Sequence, residues 1–541
     1  MADSESPAEA RKSEGGHPRL ARSAGIFGLA TITSRILGLA RDQVLAYYFG
    51  ADDINDAFRV ASRIPNLVRD LFAEGAMSAA FVPTFTRQLT LEGRDKSWRL
   101  ASSVINALLI VTGIIVIVGM IFAEPLVRVF APGFSDVPGK LELTVYLTRI
   151  VFPFLTLVAV AAVLMGMLNS LGHFFIPALS PAMFNVAMIV MSLALIPLAP
   201  SLGVTPITIV AVATLVGGVG QLAIQWPPLR KEGFHYQPVL DLKDEGLHRV
   251  LLLMGPGTIG MAATQINVLV NTWLASGISG AVSWLDFAFR LMYLPIGLFG
   301  VSIAAAATPA ISRLIAEQNF QGLRSTLAGA LGLTLFLNVP ATVGLMVLAR
   351  PIVQMIFEHG KFTTSDTLNT AAALQFYAVG LIGYSIVRII SPTFYALGRS
   401  RVPVMVSAAS VFANVVLNIT LVRSFGYRGL ALGTSITAIL NASVQLFLLR
   451  REIHGLEGTR IAASFVRVII ASAVMGAVTW GAHTVMLNAL PGAALLLQAI
   501  RLLITIGVSL AALALVAQLL RIPEFAEARD LVIGRLKRMA G

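Results

Sequence analysis

Ten arginines stand inside stretches that are otherwise apolar: Arg35, Arg41, Arg59, Arg63, Arg69, Arg149, Arg290, Arg388, Arg467 and Arg501. A charge at the centre of a bilayer costs at least about 2.5–3.5 kcal/mol, so each needs a partner, water or an escape to the interface. A guanidinium is planar, stays charged at any working pH and offers a donor fork that fits phosphate oxygens in pairs. The set contains no lysine. The chemistry these residues suit is recognition of a phosphate or pyrophosphate anion. No other reactive pattern competes. There is no cysteine, so thiolate catalysis and disulfides are excluded. The seven histidines are scattered without HxxxH or HExxH spacing, and no Walker A, GxSxG or GxGxxG motif has a suitable context. Neither an enzyme nor a bound cofactor is expected.

The arginines fall into groups. Arg149, Arg467 and Arg501 lie within roughly two turns of a span end and are expected to snorkel to the interface. Arg388 is assigned to neither group. Around residues 34–42 a wheel puts Ser34, Arg35, Gly38, Arg41 and Asp42 within an arc of about 120°. In the next span Asp56, Arg59, Arg63, Asn66, Asp70 and Glu74 share an arc of about 80°. Arg69 lies off that arc, and Pro65 is expected to kink the helix and shift its phase. Arg290 occupies a matching stage later in the chain. Five carboxylates, Asp42, Asp56, Asp70, Glu74 and Asp286, stand against six arginines, Arg35, Arg41, Arg59, Arg63, Arg69 and Arg290. Ion pairing that merely glues helices together is one reading. A hydrated cavity awaiting an anion better accounts for the positive excess.

The elements that position these side chains follow from composition. Of 541 residues, 56% are hydrophobic and only 13% charged, against about 25% charged in soluble domains. The apolar residues form blocks rather than alternating, so the expected fold is all-α and polytopic, and a β-barrel is excluded. Fourteen spans are expected: 23–48, 54–86, 101–123, 143–170, 176–198, 205–226, 247–275, 280–311, 325–349, 367–397, 403–422, 429–449, 461–487 and 494–520. The net charge of +12 is distributed unevenly. Both tails and the loops on their side hold 24 Lys and Arg; the opposite loops hold six, Arg128, Lys140, Arg350, Lys361, Arg423 and Arg428. Both termini are therefore expected in the cytoplasm.

A shift of 226 residues aligns Pro83-x-x-Thr86-Arg87 with Pro309-x-x-Ser312-Arg313. It also aligns Ala123-x-Pro125 with Ala349-x-Pro351, and Leu171-Gly172 and Pro177 with Leu397-Gly398 and Pro403. Each repeat holds six spans, so the repeat is parallel, as in alternating-access transporters. The expected organisation is a disordered cytoplasmic tail (1–22), an N-lobe (23–228), a C-lobe (245–455), two appended helices (460–521) and a basic cytoplasmic tail (522–541). Asn414 and Asn418 are one turn apart, with Asn267, Asn271 and Thr434 as candidate neighbours. They offer oxygens without a carboxylate, which suits hydrogen bonding between helices, with a weak sodium site as the alternative. No other metal site is expected.

Several segments are specific enough to carry a resemblance. Ser34-Arg35-Ile36-Leu37-Gly38-Leu39-Ala40-Arg41-Asp42, Asp56-Ala57-Phe58, Pro65-Asn66-Leu67-Val68-Arg69 and the run from Phe72 to Pro83 resemble the MurJ family of lipid II flippases. That family belongs to the multidrug/oligosaccharidyl-lipid/polysaccharide exporter superfamily. The resemblance spans essentially the whole chain and includes Ala131-Pro132-Gly133-Phe134 and Gly360-Lys361-Phe362. It implies flipping of the undecaprenyl-pyrophosphate-linked peptidoglycan precursor from the cytoplasmic to the periplasmic leaflet of a bacterial inner membrane. It assigns substrate binding to Arg35, Arg41, Arg69 and Arg290 and matches its acidic position to Asp56; the charged faces read from the residues add Ser34, Gly38, Asp42, Arg63, Asn66 and Asp286 in support. It places the lipid tail in a groove at the last two spans. In similar sequences the arginine at 290 is often preceded by Asp and followed three residues on by Glu; here Phe289 and Tyr293 stand there, and Asp286 is the nearby acid. Lipid II and membrane lipids are the expected partners, with wall-synthesis proteins as candidate neighbours, no nucleic acid and a monomeric state. The rival readings are a flippase for another polyprenyl-pyrophosphate-linked oligosaccharide and a cation-coupled drug antiporter, which would want carboxylates to dominate the cavity.

Overall fold

Long apolar segments in a bilayer must satisfy their backbone groups internally, which leaves the helix as the default for this composition. The computed structural model describes residues 16–70, 76–526 and 529, and side chains over 32–70, 80–253, 265–526 and 529. Residues 1–15, Glu74 and its neighbours at 71–75, and most of the 522–541 tail lie outside the described residues. Among those described there is no β-strand.

The elements are α1 (Gly16–Phe49), α2 (Asp53–Arg69), α3 (Ala76–Leu91), α4 (Arg94–Ile121), α5 (Ala123–Phe130), α6 (Lys140–Val151), α7 (Phe154–Ser170), α8 (Phe175–Leu195), α9 (Ala199–Leu202) and α10 (Pro206–Lys231). They continue as α11 (Glu245–Ala275), α12 (Ala281–Pro295), α13 (Val301–Ala316), α14 (Phe320–Val347), α15 (Ala349–Phe357), α16 (Thr364–Ala396), α17 (Arg401–Phe425), α18 (Tyr427–Glu452), α19 (Gly458–Ala489) and α20 (Leu495–Leu519). Each expected span coincides with helix over its described residues. Eleven helices are long and apolar enough to cross a membrane among the described residues. The other three expected spans, 23–48, 54–86 and 247–275, include residues or side chains outside those described. Rows of exposed Ile, Leu, Val and Phe, such as Ile110, Ile114, Ile117 and Ile121 on α4, form the face such helices turn to lipid.

The chain forms two compact units: residues 1–45 with 53–265, and residues 46–52 with 266–541. In the first, α2 packs on α6 and α7, and α8 packs on α10. Phe81, Phe85, Trp98 and Phe234 make one aromatic core that ties α3 and α4 to the segment after α10. Asn106 Nδ2 donates to the carbonyls of Gln237 (3.0 Å) and Val239 (2.9 Å), holding that segment along α4. In the second unit, α16 packs on α12, α14 and α18. The last two helices pack together, and a core of Phe336, Val339, Val468, Met475 and Leu513 seats them on α14.

The motifs aligned by the 226-residue shift occupy equal places in their own units. Ala123 and Ala349 each open a short helix, α5 and α15, whose first turn holds a proline where no backbone donor is needed. Gly172 and Gly398 each end a long helix with positive φ, +82° and +72°. The start of α6 reaches the first turn of α2 through Lys140, and the start of α16 reaches the first turn of α12 through Asp366 and Trp284.

Candidate functional site

In the first unit the helix 1 motif builds a fixed guanidinium. Arg41 donates through Nη2 (2.9 Å) and Nε (3.3 Å) to Asp42 Oδ1. Its Nη1 donates to Asn185 Oδ1 at 3.1 Å, and Asn185 Nδ2 donates to the Ser34 carbonyl at 3.1 Å. The Arg41 side chain is 14% exposed and Asp42 1%. Arg41 also lies over the Phe184 ring, 5.6 Å from its centroid. One amide on α8 thus aligns both the arginine and the turn that carries Ser34 and Arg35. Asn185 was not singled out from the sequence. Its signal was a lone carboxamide in the apolar run of α8, and such polar residues recur as interhelical ties. Gly38 is buried on α1, and Arg35 is half-buried.

On α2 the carboxylates do not divide as the charge tally assumes. Asp56 is completely buried and accepts from Lys140 Nζ at 3.0 Å, while Asp53 takes the same ammonium at 2.7 Å. Lys140 was expected to be a loop cation, and it is instead 1% exposed, with its ammonium 4.1 Å from the Phe134 centroid. The Ala131-Pro132-Gly133-Phe134 motif therefore supplies the ring beneath this ion cluster. The acid expected to offset the intramembrane arginines is bound to a lysine from another helix, which one helical wheel could not show. Arg59 is buried and donates to Asn55 Oδ1 at 3.1 Å. Arg69 pairs with the adjacent Asp70 at 2.7 Å, and Gln265 Nε2 approaches the other Asp70 oxygen at 3.3 Å. The helix runs through Pro65 to Arg69. Arg63 and Asn66 are half-buried, with Asn66 Oδ1 buried and lacking a hydrogen bond.

In the second unit Arg290 has Asp286 at 3.9 Å, one turn earlier on α12, the acid expected from the sequence. Tyr293, also on α12, accepts a hydrogen bond from Arg388 of α16. Asn418 donates to Asn414 Oδ1 (2.7 Å) and to Asn271 Oδ1, and Asn414 donates to Thr437 Oγ1 (3.3 Å). Thr434 bonds its own helix at the Leu430 carbonyl. The asparagines act here as donors and acceptors to one another. Among the described residues no group of three or more His, Cys, Asp or Glu is placed to hold a metal.

The three arginines expected to snorkel end on backbone carbonyls at helix ends: Arg149 on Met120, Arg467 on Arg521 and Arg501 on Gly492. Arg501 differs from expectation in being 8% exposed, held by protein rather than water. At the ends of α7 and α10, His173 Nε2 lies 2.9 Å from Glu232 Oε1 and Arg94 lies 3.2 Å from Oε2. The hydrogen bond from His173, with Arg94 beside it, holds the Glu232 carboxyl below its usual range.

A helical membrane protein with guanidinium groups fixed inside its bundle is a polytopic membrane transporter in fold. The model of the family "Lipid II flippase MurJ" matches residues 45–500. A probable lipid II flippase MurJ of Vibrio cholerae is 35% identical over 482 residues, covering 86% of this chain and 90% of that protein. The lipid II flippase MurJ of Burkholderia cenocepacia is 34% identical over 423 residues, covering 77% and 81%. A solved structure of lipid II flippase MurJ in an inward closed conformation superposes with a TM-score of 0.74 at 28% identity, covering 91% of this chain and 98% of that one. An inward-facing multidrug resistance MATE family transporter shares the fold, with a TM-score of 0.67 at 18% identity. The chain belongs to the MurJ lipid II flippase family.

Proposed function

We propose that this protein flips lipid II, the undecaprenyl-pyrophosphate-linked peptidoglycan precursor, from the cytoplasmic to the periplasmic leaflet by alternating access. The observation that carries this reading is Arg41, a membrane-embedded guanidinium oriented by Asp42 and Asn185 in a chain of this family. Orientation by two neighbours keeps the fork in place before the anion arrives, so less binding energy is lost to ordering it. Arg35, Arg41, Arg69 and Arg290 bind the pyrophosphate, with Ser34, Gly38, Asp42, Arg63, Asn66 and Asp286 in support. Asp56 supports at one remove, by seating α2 on Lys140. The six-span lobes rock about the substrate, and the last two helices border the polyprenyl tail.

Both termini are cytoplasmic in this reading, by the distribution of basic residues. A potential that is negative inside contributes about 2.3 kcal/mol per charge per 100 mV. It drives the anionic headgroup outward and the emptied cationic site back. No bond is made or broken, so the protein is a transporter and not an enzyme, acting as a monomer in the inner membrane.

The test is lipid II exposure at the outer leaflet in cells depleted of the protein and complemented with wild type or Arg41→Ala. The variant should reach the membrane at wild-type abundance and give no exposure above depleted cells. Wild-type exposure from Arg41→Ala would refute the assignment of Arg41, and unchanged exposure on depletion would refute the substrate.

A further inference from the structure

The arginine that neither group absorbed, Arg388, sits in an unexpected orientation. Helices α12 and α16 run in the same direction. Near their starts Trp284 Nε1 donates to Asp366 Oδ1 at 3.0 Å. Further along, Gly300 lies on Ser385, where an added Cβ would be 3.2 Å from Oγ. The Arg388 guanidinium donates to the Tyr293 hydroxyl. The contacts of Phe289 with Tyr377 and Tyr384 put Tyr293, one turn further along α12, about level with Tyr384, so the arginine turns back by roughly one turn toward the middle of the helices. A snorkelling arginine would run the other way, to the C-terminal end of α16.

The surroundings suit an anion. Asp286, Arg290 and Tyr293 follow an i, i+4, i+7 pattern and share one face of α12. Arg290 is 39% exposed on that face. Phe289 stacks on Tyr293 with centroids 5.8 Å apart and meets Tyr377 (5.4 Å) and Tyr384 (6.3 Å) edge-on, which sets the tyrosine ring in place. Arg388 is exposed, and no carboxylate lies within ion-pair distance of it among the described residues. Its fork has five donors, and the tyrosine takes one. An exposed cation drawn away from the interface and held by a neutral hydroxyl is costly in a membrane unless water or an anion meets it.

We propose that Arg388, oriented by Tyr293 beside Arg290, is a second phosphate-binding position on the second unit, taking one phosphate of a diphosphate-linked lipid. This rests on the flippase reading. Arg388 adds a substrate contact that the family motif does not name, and Tyr293 positions it. The same chemistry would fit the phosphate of a bulk anionic phospholipid, and the experiment separates the two.

The full chain is placed in phosphatidylcholine nanodiscs and titrated with lipid II, inorganic pyrophosphate and a short-chain phosphatidylglycerol. Wild type, Arg388→Ala, Arg388→Lys, Tyr293→Phe and Arg41→Ala are compared. Arg388→Ala should weaken lipid II and pyrophosphate binding roughly ten- to hundred-fold, the worth of one charge-assisted contact. Arg388→Lys should recover part of the loss, since it keeps the charge without the fork. Tyr293→Phe keeps the Arg388 charge and fork, so it should weaken binding less than Arg388→Ala and melt like wild type. Wild-type affinity of Arg388→Ala, with Arg41→Ala impaired, would overturn the proposal and leave the flippase reading standing. A loss confined to phosphatidylglycerol would also overturn it, in favour of a bulk-lipid contact. No binding of lipid II or pyrophosphate to wild type would remove both.

Discussion

Lys140 offers the sharpest energetic test of the structure. Its ammonium is 1% exposed and serves Asp56, which is 0% exposed, at 3.0 Å, and Asp53, which is 42% exposed, at 2.7 Å. In Lys140→Met the side-chain volume is kept, the Phe134 contact becomes apolar, and Asp56 is left as a buried anion deprived of its lysine. Removing one member of a buried pair costs about 3–5 kcal/mol. Asp53 stays hydrated, and its share is at most about 1 kcal/mol. Asp56→Asn should be milder, because Lys140 keeps Asp53 and the amide still accepts a hydrogen bond. The double variant Lys140→Met with Asp56→Asn lacks both members of the buried Lys140–Asp56 pair and should recover more than half of the single-variant loss. The assay is unfolding in mixed micelles followed by fluorescence of the five tryptophans. A cost below about 1 kcal/mol for Lys140→Met, or no recovery in the double variant, would refute the view that a buried ion cluster seats α2 on α6.

Three further outcomes follow from named contacts. Asn185→Leu removes the tie between Arg41 and the Ser34 carbonyl, so lipid II flipping should fall about ten-fold or more, from the loss of a hydrogen bond to a charged group, while expression is unchanged. Gly360 has φ +63° and its Cβ would stand 2.3 Å from the Tyr47 carbonyl oxygen. Gly360→Ala should therefore destabilise by at least about 1–2 kcal/mol by thermal melting, whereas Gly277→Ala, with nothing within 4 Å, should be neutral. Glu232 has a lowered pKa in the fold, so its contribution is present above the ordinary value of 4.5 and is lost as pH falls through the lower folded value. The protection of amides 232–239 relative to their intrinsic exchange rates should fall on acidification below 4.5, and Glu232→Gln should flatten that fall.

Hydropathy alone located the eleven helices that are long and apolar enough to cross a membrane among the described residues, because a bilayer permits little besides helix for apolar blocks of this length. The charged arcs of the first two spans were equally plain, since an arginine among leucines is visible without a structure. Asp286 beside Arg290 was also legible, because an i, i+4 pair depends only on helix geometry. The partners supplied by other helices were not legible, for a single reason: they lie far apart in sequence. Asp56 answers to Lys140, 84 positions away, and Arg41 to Asn185, 144 positions away. Gly360-Lys361-Phe362 stood out as a motif, yet its purpose is tertiary: Lys361 N–H donates to the Tyr47 carbonyl at 2.9 Å, an approach that a side chain at 360 would block. Arg388 shows the same division. Its charge and its place in a span were evident, but the direction in which its guanidinium turns depends on a tyrosine hydroxyl from a neighbouring helix. The sequence by itself determined that this is a multi-span helical protein with arginines in its membrane-embedded helices. Only the tertiary structure decided which protein partner an arginine such as Arg41 or Arg388 takes, because packing chooses among partners that a linear pattern leaves equivalent.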